Sequence, residues 1–265
     1  MLALIAGGGD LPRQVVASQE ARPLVCVLDG AQPDGVEADR TFRLETLGSL
    51  LAELQDAGVD SVCFVGDVAR PRFDPSALDA ATMPLVPRFQ AALAQGDNGA
   101  LEVVRDIFRE AGFAVIGVHK LLPDLLARPG VLSRAEPDEQ MRHDAARGAQ
   151  VLAALSALDI GQACVVGRAQ VVGVEAIGGT DHMLATLPAV ARSAKAILCK
   201  GPKRGQIREI DLPTIGPRTV QNACDAGLAG IVLDAAGVLL LERETCVALA
   251  DRHGLVLWVR EESAP

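Results

Sequence analysis

Short apolar runs alternate with amphipathic stretches through the first half of the chain. Leu2–Ala6, Leu24–Leu28 and Ser61–Val65, with a further run at 114–118, are brief and rich in Leu, Val, Ile and Cys. Runs of that length, bounded by Gly, Pro or Asp, read as buried strands. Between them, residues 11–20 read as a helix. Pro12 suits its first turn, where the missing N–H costs nothing. Leu47, Leu50, Leu51 and Leu54 share one face of a helix over 47–57. Ser76 is read as the cap of a long helix reaching Ala94. Gly96-Asp97-Asn98-Gly99 is read as a turn before a helix through Ala111. Strand and helix in alternation predict an α/β fold with a parallel, doubly wound sheet and right-handed crossovers.

The pattern breaks at Arg128-Pro129-Gly130 and Glu136-Pro137-Asp138. A domain boundary near residue 132 divides the chain into domains 1–131 and 132–265. A long helix is expected over 139–158, followed by strands at 163–166 and Gln170–Val174. A helix from Thr180 to about Leu187 and a strand at 196–199 lead into the loop 200–205. Residues 211–217 hold two prolines and a glycine and are irregular. Pro217 opens a helix ending near Gly227. Strands at 230–233, 238–241 and 256–259 and a helix at Arg243–His253 complete a second α/β unit, with more strand pairs joined directly.

Composition narrows the classes. The 265 residues carry 34 acidic and 25 basic side chains, a net charge of −9. With no basic stripe, nucleic acid is not the expected partner. Aromatic content of 3%, with no Tyr, removes the stacking platforms of single-strand binders. The six cysteines (Cys26, Cys63, Cys164, Cys199, Cys224 and Cys246) form no CxxC pair and read as reduced core residues. The start lacks a basic n-region and reads as a strand rather than a signal peptide. No stretch approaches the ~20 apolar residues of a membrane span. A cytoplasmic protein is expected.

The candidate chemistry lies at the loops. Gly7-Gly8-Gly9 follows the first strand and precedes a helix, where glycine lets backbone approach a phosphate. A tight turn without ligand is the other reading. The dinucleotide fingerprint fails, because Pro12 stands where its third glycine belongs. Gly66-Asp67 and the Asp97 loop fall at the carboxyl edge of the sheet, where open α/β sheets bind ligands. In the second half, Thr180 and Asp181 read as an ordinary helix start, or Glu175 and Asp181 read as a carboxylate pair brought near phosphate oxygens through Mg²⁺. Lys200, Lys203, Arg204 and Arg208 make the densest basic cluster, suited to a diphosphate. Gln221, Asn222 and Asp225 share a polar helix face. A negative charge near a helix C-terminus is mildly unfavourable, which draws attention to Asp225. The four histidines show no metal-ligand spacing, and GxSxG, P-loop and HExxH motifs are absent.

Taken in order, Ile5-Ala6-Gly7-Gly8-Gly9-Asp10-Leu11-Pro12, Asp159-Ile160-Gly161-Gln162 and Val174-Glu175-Ala176-Ile177-Gly178-Gly179-Thr180-Asp181 resemble the LpxI-type UDP-2,3-diacylglucosamine pyrophosphatases. Residues 200–206 and Asp211-Leu212-Pro213-Thr214-Ile215-Gly216-Pro217 resemble the same family. Its pattern Gln-Asp-x-Arg-x-Asp-x-Pro is met at Gln206, Asp211 and Pro213. Ile207 replaces the first Asp, and Glu209 replaces the Arg, with Arg208 one place earlier. The resemblance implies hydrolysis of UDP-2,3-diacylglucosamine to UMP and 2,3-diacylglucosamine 1-phosphate (lipid X) in lipid A synthesis, with Mg²⁺ or a similar ion. It also implies an N-terminal Rossmann-like UDP-binding domain and a C-terminal catalytic domain that close on the substrate.

On that basis Asp225 and Asp181, with Asp211 or Glu175, are expected to hold Mg²⁺ or orient water. Lys200 and Arg208 are expected to neutralise phosphate charge. Gly8 and Gly9 are expected to offer N–H groups to UDP, beside Asp10, Leu11, Gly66, Asp67 and Asp97. Glu175, Thr180, Gln206 and Thr214 are the substrate-binding positions of the second domain. The expected partner is the lipid-linked UDP-sugar. Transient contact with the inner membrane and a homodimer are left open. Two other classes remain: a nucleotide-sugar or lipid-binding module without turnover, and a nicotinamide-dependent oxidoreductase.

Overall fold

A computed structural model describes residues 1–68, 73–93 and 97–261. Packing divides the chain into two units, Met1–Pro123 with Ile207–Asp211, and Asp124–Gln206 with Leu212–Pro265.

The first unit runs β1 (Leu2–Ala6), α1 (Leu11–Ser18), β2 (Leu24–Leu28), β3 (Arg40–Phe42), α2 (Leu47–Asp56), β4 (Ser61–Val65), α3 (Val86–Leu93), α4 (Asp97–Glu110), β5 (Ala114–Val115) and α5 (Val118–Leu121). The strands form one sheet in the order β3-β2-β1-β4-β5. Every pairing in it is parallel. The order reverses between β1 and β4, so the crevice at a switch point opens beyond their carboxyl ends. Alternate residues of a strand face opposite sides. Ala3 and Ile5 pack with Leu47, Leu54, Ile107 and Phe108 of α2 and α4. Leu4 and Ala6, facing the other way, are equally buried. Both faces of the sheet are therefore covered, as continuous apolar runs require.

Three local expectations fail in this unit. Residues 76–94 are not one long helix. Pro75–Ala77 and Met83–Leu85 are single 3₁₀ turns, and α3 begins only at Val86. Pro84 and Pro87 each remove a backbone donor, and Asp74 rather than Ser76 supplies the first cap. Ala94 and Gly96 lie outside the described residues, and Asp97-Asn98-Gly99 is the first turn of α4 rather than a loop. The strand expected at 114–118 stops at Val115, because Gly117 caps α5.

The second unit contains β6 (Gly130–Val131), α6 (Glu139–Ser156), β7 (Ala163–Gly167), β8 (Gln170–Val174), α7 (Gly179–Ala185), α8 (Val190–Ser193), β9 (Ile197–Lys200), β10 (Thr214–Ile215), α9 (Pro217–Asp225), β11 (Gly230–Asp234), β12 (Leu239–Leu240), α10 (Arg243–His253) and β13 (Val256–Arg260). Its main sheet has the order β6-β13-β11-β9-β7-β8. The β13-β11-β9 centre is parallel, and β6, β7 and β8 add antiparallel flanks. Alternation again serves two layers. Val165, Leu198, Ile231 and Leu257 pack with α7, α9 and α10. Cys164, Ile197, Cys199 and Val232 pack with Met141, Ala145 and Leu152 of α6.

The direct β7–β8 connection is a hairpin whose central residues, Arg168 and Ala169, both have positive φ, at 50° and 61°. That is the twist-compatible geometry of a two-residue turn. Asp144 of α6, 1% exposed, makes it affordable. Its carboxylate accepts the N–H groups of Arg168 at 3.0 Å and Ala169 at 2.6 Å, and the Gln140 amide at 3.1 Å.

Candidate functional site

In the first unit the glycine loop sits at the switch point, but its N–H groups are already engaged. Gly7 donates to Val65 O at 2.8 Å, Gly8 to Asp67 O at 2.7 Å and Gly9 to Gln32 O at 3.2 Å. Asp67 N–H returns a bond to Gly8 O at 3.0 Å. The phosphate-binding N–H groups expected of Gly8 and Gly9 are thus spent on backbone. The glycines serve close approach instead: a Cβ on Gly7 would overlap the Asp67 carbonyl. Gly66, with φ 92°, packs equally tightly on Gly7 and Gly8. Leu11 is buried at the start of α1. Asp10 points its carboxylate to Arg13 Nε at 2.6 Å and Gln14 Nε2 at 2.8 Å. The bond from Arg13, then that from Gln14, holds Asp10 below the usual carboxylate range. Asp97 opens α4, and its side chain is outside the description.

The segment Ile207–Asp211 belongs by packing to this first unit. Arg208 and Asp211 therefore pack with the first unit and Lys200 with the second, although the sequence sets them in one loop. Asp211 N–H turns back to Ile207 O at 2.9 Å. Glu209 pairs with Arg109 at 3.3 Å, which gives the residue standing at the family's Arg position a structural partner. His119 lies against the same segment. Burial, then the nearby Arg208 charge, pushes its imidazole below the ordinary value.

In the second unit the candidates converge at the carboxyl end of the parallel strands. Lys200 ends β9 and is 8% exposed. Its Nζ donates to Thr180 Oγ1 at 2.9 Å and to Thr214 O at 3.1 Å. Thr180 Oγ1 in turn donates to Glu175 Oε1 at 3.1 Å. Glu175 Oε2 accepts Gln162 N–H at 3.1 Å. Four expected residues, Lys200, Thr180, Glu175 and Thr214, thus form one connected network. Thr214 contributes its carbonyl, while its hydroxyl bonds Leu212 O. Gly161 explains the local chain path: at φ 52° it lies against Glu175, and a Cβ there would strike the Glu175 carbonyl.

The rest of the basic loop is anchored locally. Lys203 pairs with Asp159 at 2.6 Å, Arg204 N–H bonds Ser156 Oγ at 2.5 Å, and Gln206 Oε1 accepts Lys203 N–H at 2.8 Å. Gln206 is therefore placed as a brace of the loop.

Asp181 and Asp225 are brought to the same pair of helices but are engaged separately. Asp181, in the first turn of α7, accepts Asn222 Nδ2 at 2.9 Å and pairs with Arg218 Nε at 3.0 Å. Both partners are on α9, so Asp181 clasps two helices. Asp225, the last residue of α9, accepts Gln221 Nε2 at 2.8 Å. Arg218 was not singled out from sequence, though its i, i+4 spacing to Asn222 marks the shared face. Among the described residues no group of three or more His, Cys, Asp or Glu is placed to hold a metal ion. The described residues do not compose a protein-only magnesium cage. Magnesium needs fewer protein ligands when substrate phosphates supply the rest.

Thiol chemistry is not favoured. Cys26, Cys63 and Cys246 are pushed up to about 12 by burial, which suppresses the thiolate. An open groove of about 630 Å³ runs along α10, lined by Arg134, Arg243, Glu244, Val247, Asp251 and Arg252. None of the candidate site residues lines it. No helix among the described residues is long and apolar enough to cross a membrane.

Comparison with known proteins covers the chain in two pieces. Residues 1–125 match the family model described as LpxI N-terminal domain, and residues 128–258 match LpxI C-terminal domain. A protein of Caulobacter vibrioides named "UDP-2,3-diacylglucosamine pyrophosphatase LpxI" is 35% identical over 280 residues, spanning 100% of this chain and 99% of the relative.

Proposed function

The chain belongs to the LpxI family, and from that membership we propose that it hydrolyses the pyrophosphate bond of UDP-2,3-diacylglucosamine. The products are 2,3-diacylglucosamine 1-phosphate (lipid X) and UMP, on the route to lipid A. The observation that carries this reading is the match to both family domains, in order, together with a full-length relative of that name.

The chemistry fits the residues. Water attacks one phosphorus, the bridging P–O bond breaks, and the attacking water gives up a proton. Catalysis of such a step consists mainly of charge neutralisation and in-line positioning. Lys200 supplies a fixed cation at a sheet edge of the kind that binds ligands. Asp225 is the proposed water-orienting or metal-holding carboxylate, with Asp181 and Asp211 in support, and Arg208 is the second proposed cation. Mg²⁺ dependence is part of the proposal. Asp225 and Asp181 would supply one or two ligands, leaving the diphosphate oxygens to complete the shell. We assign the protein to the cytoplasm, touching the inner membrane only through its lipid substrate. Work as a homodimer is decided by mass measured in solution.

The test is incubation with UDP-2,3-diacylglucosamine in ¹⁸O-labelled water, with Mg²⁺ or with EDTA. UMP released only with metal supports the full reading, and the labelled product reports which phosphorus is attacked. UMP released equally in EDTA removes the metal from it. Substrate bound but intact replaces the enzyme with a binding module.

A further inference from the structure

We infer that Thr180 is a positioning residue for Lys200, acting on the reaction through that lysine rather than by touching substrate. The inference rests on the reading that Lys200 neutralises phosphate charge. A threonine hydroxyl has one proton to donate and lone pairs to accept with. Here the proton goes to Glu175 at 3.1 Å, and a lone pair receives Lys200 Nζ at 2.9 Å. The direction of the hydroxyl is therefore set by Glu175, and the direction of the ammonium by the hydroxyl.

Each support is itself fixed. Thr180 is 8% exposed and is the second residue of α7. Glu175 is held at Oε2 by the Gln162 N–H, and its own N–H donates to Ala163 O at 2.9 Å. The lysine is also held by the Thr214 carbonyl at 3.1 Å. Two acceptors on separate elements, α7 and β10, thus help to hold the charge in place. A lysine is a flexible point charge on a long stem. Its value to a phosphoryl transition state depends on being placed before reaction begins. Glu175 and Thr180, expected from sequence to bind substrate, become the support behind the cation.

The test compares Thr180→Val, Thr180→Ala, Thr180→Ser and Lys200→Met in the full-length protein. Steady-state turnover of UDP-2,3-diacylglucosamine and thermal unfolding are measured for each. Valine keeps the shape and loses both bonds, and alanine serves where valine disturbs the fold. Losing the support should lower kcat on the order of 100-fold, with KM little changed and the unfolding midpoint close to the parent. Thr180→Ser, which retains the hydroxyl, should restore most of the rate. A normal kcat in Thr180→Val or Thr180→Ala beside an inactive Lys200→Met overturns the inference alone. A serine variant as slow as alanine also overturns it, since the hydroxyl is then not what matters. An active Lys200→Met overturns the underlying reading of Lys200 itself.

Discussion

Asp225 ends α9 with its carboxylate braced by Gln221 one turn earlier. A carboxylate at the negative end of a helix dipole is out of place on stability grounds alone. Replacing it with Ala should abolish turnover, a loss beyond about 1000-fold, while substrate binding measured by calorimetry persists. Near-normal turnover removes Asp225 from the reaction. Glu45 tests a different property. It is 1% exposed, accepts Asp74 N–H at 2.6 Å and pairs with Arg43 at 3.2 Å. Burial by itself raises its pKa, but the bond from Asp74 N–H and the Arg43 guanidinium outweigh that and hold the group below its ordinary value. A group lowered in the folded state stabilises fully above its unfolded pKa, and that stability is lost as pH falls through the folded value. Glu45→Gln should flatten the acid limb of stability against pH and cost about 1–3 kcal/mol near neutrality. Urea unfolding between about pH 3 and 7 reads both effects; an unchanged acid limb would mean the bonds are not made in solution.

At the scale of elements, strands were the most legible. Leu2–Ala6, Leu24–Leu28 and Ser61–Val65 keep the bounds that their apolar runs set, because strands covered on both faces are apolar nearly throughout; Gln170–Val174 also keeps its bounds, but as a largely exposed edge strand. Helices held by one apolar face, such as α2, were legible for the same reason. The stretch 76–94 was not. Its prolines were visible, but the competing bonds were not: Asp79 takes the Thr82 N–H and the Ser49 hydroxyl, and Thr82 takes the Gly48 N–H. The last two are contacts across about 30 residues of sequence, beyond any local pattern. The site divides likewise. Residue types and order singled out Lys200, Thr180 and Glu175 as candidates, but not that Thr180 bonds both of the others. The Gly8 and Gly9 N–H groups looked available only because their acceptors, Asp67 and Gln32, lie far along the chain. The β7–β8 turn supplies a prediction at this scale. Asp144→Ala takes from two N–H groups of the turn the buried carboxylate that accepts them and should destabilise the protein by about 1–3 kcal/mol. Asp144→Asn, which keeps one acceptor, should cost less, and equal losses in urea unfolding would contradict the assignment.

Over the whole molecule, two α/β units carry the two LpxI family domains, and the chain between them is not a simple linker. It leaves the first unit after Pro123, returns as Ile207–Asp211 and leaves again. No single scission can therefore separate the units into self-sufficient halves. A fragment ending at Pro123 lacks five residues of its own packing, and a fragment beginning at Asp124 carries them as surplus. The same consequence holds in inheritance. A gene segment for residues 124–265 moved alone into a new context would carry away Ile207–Asp211, a piece that packs with the first unit.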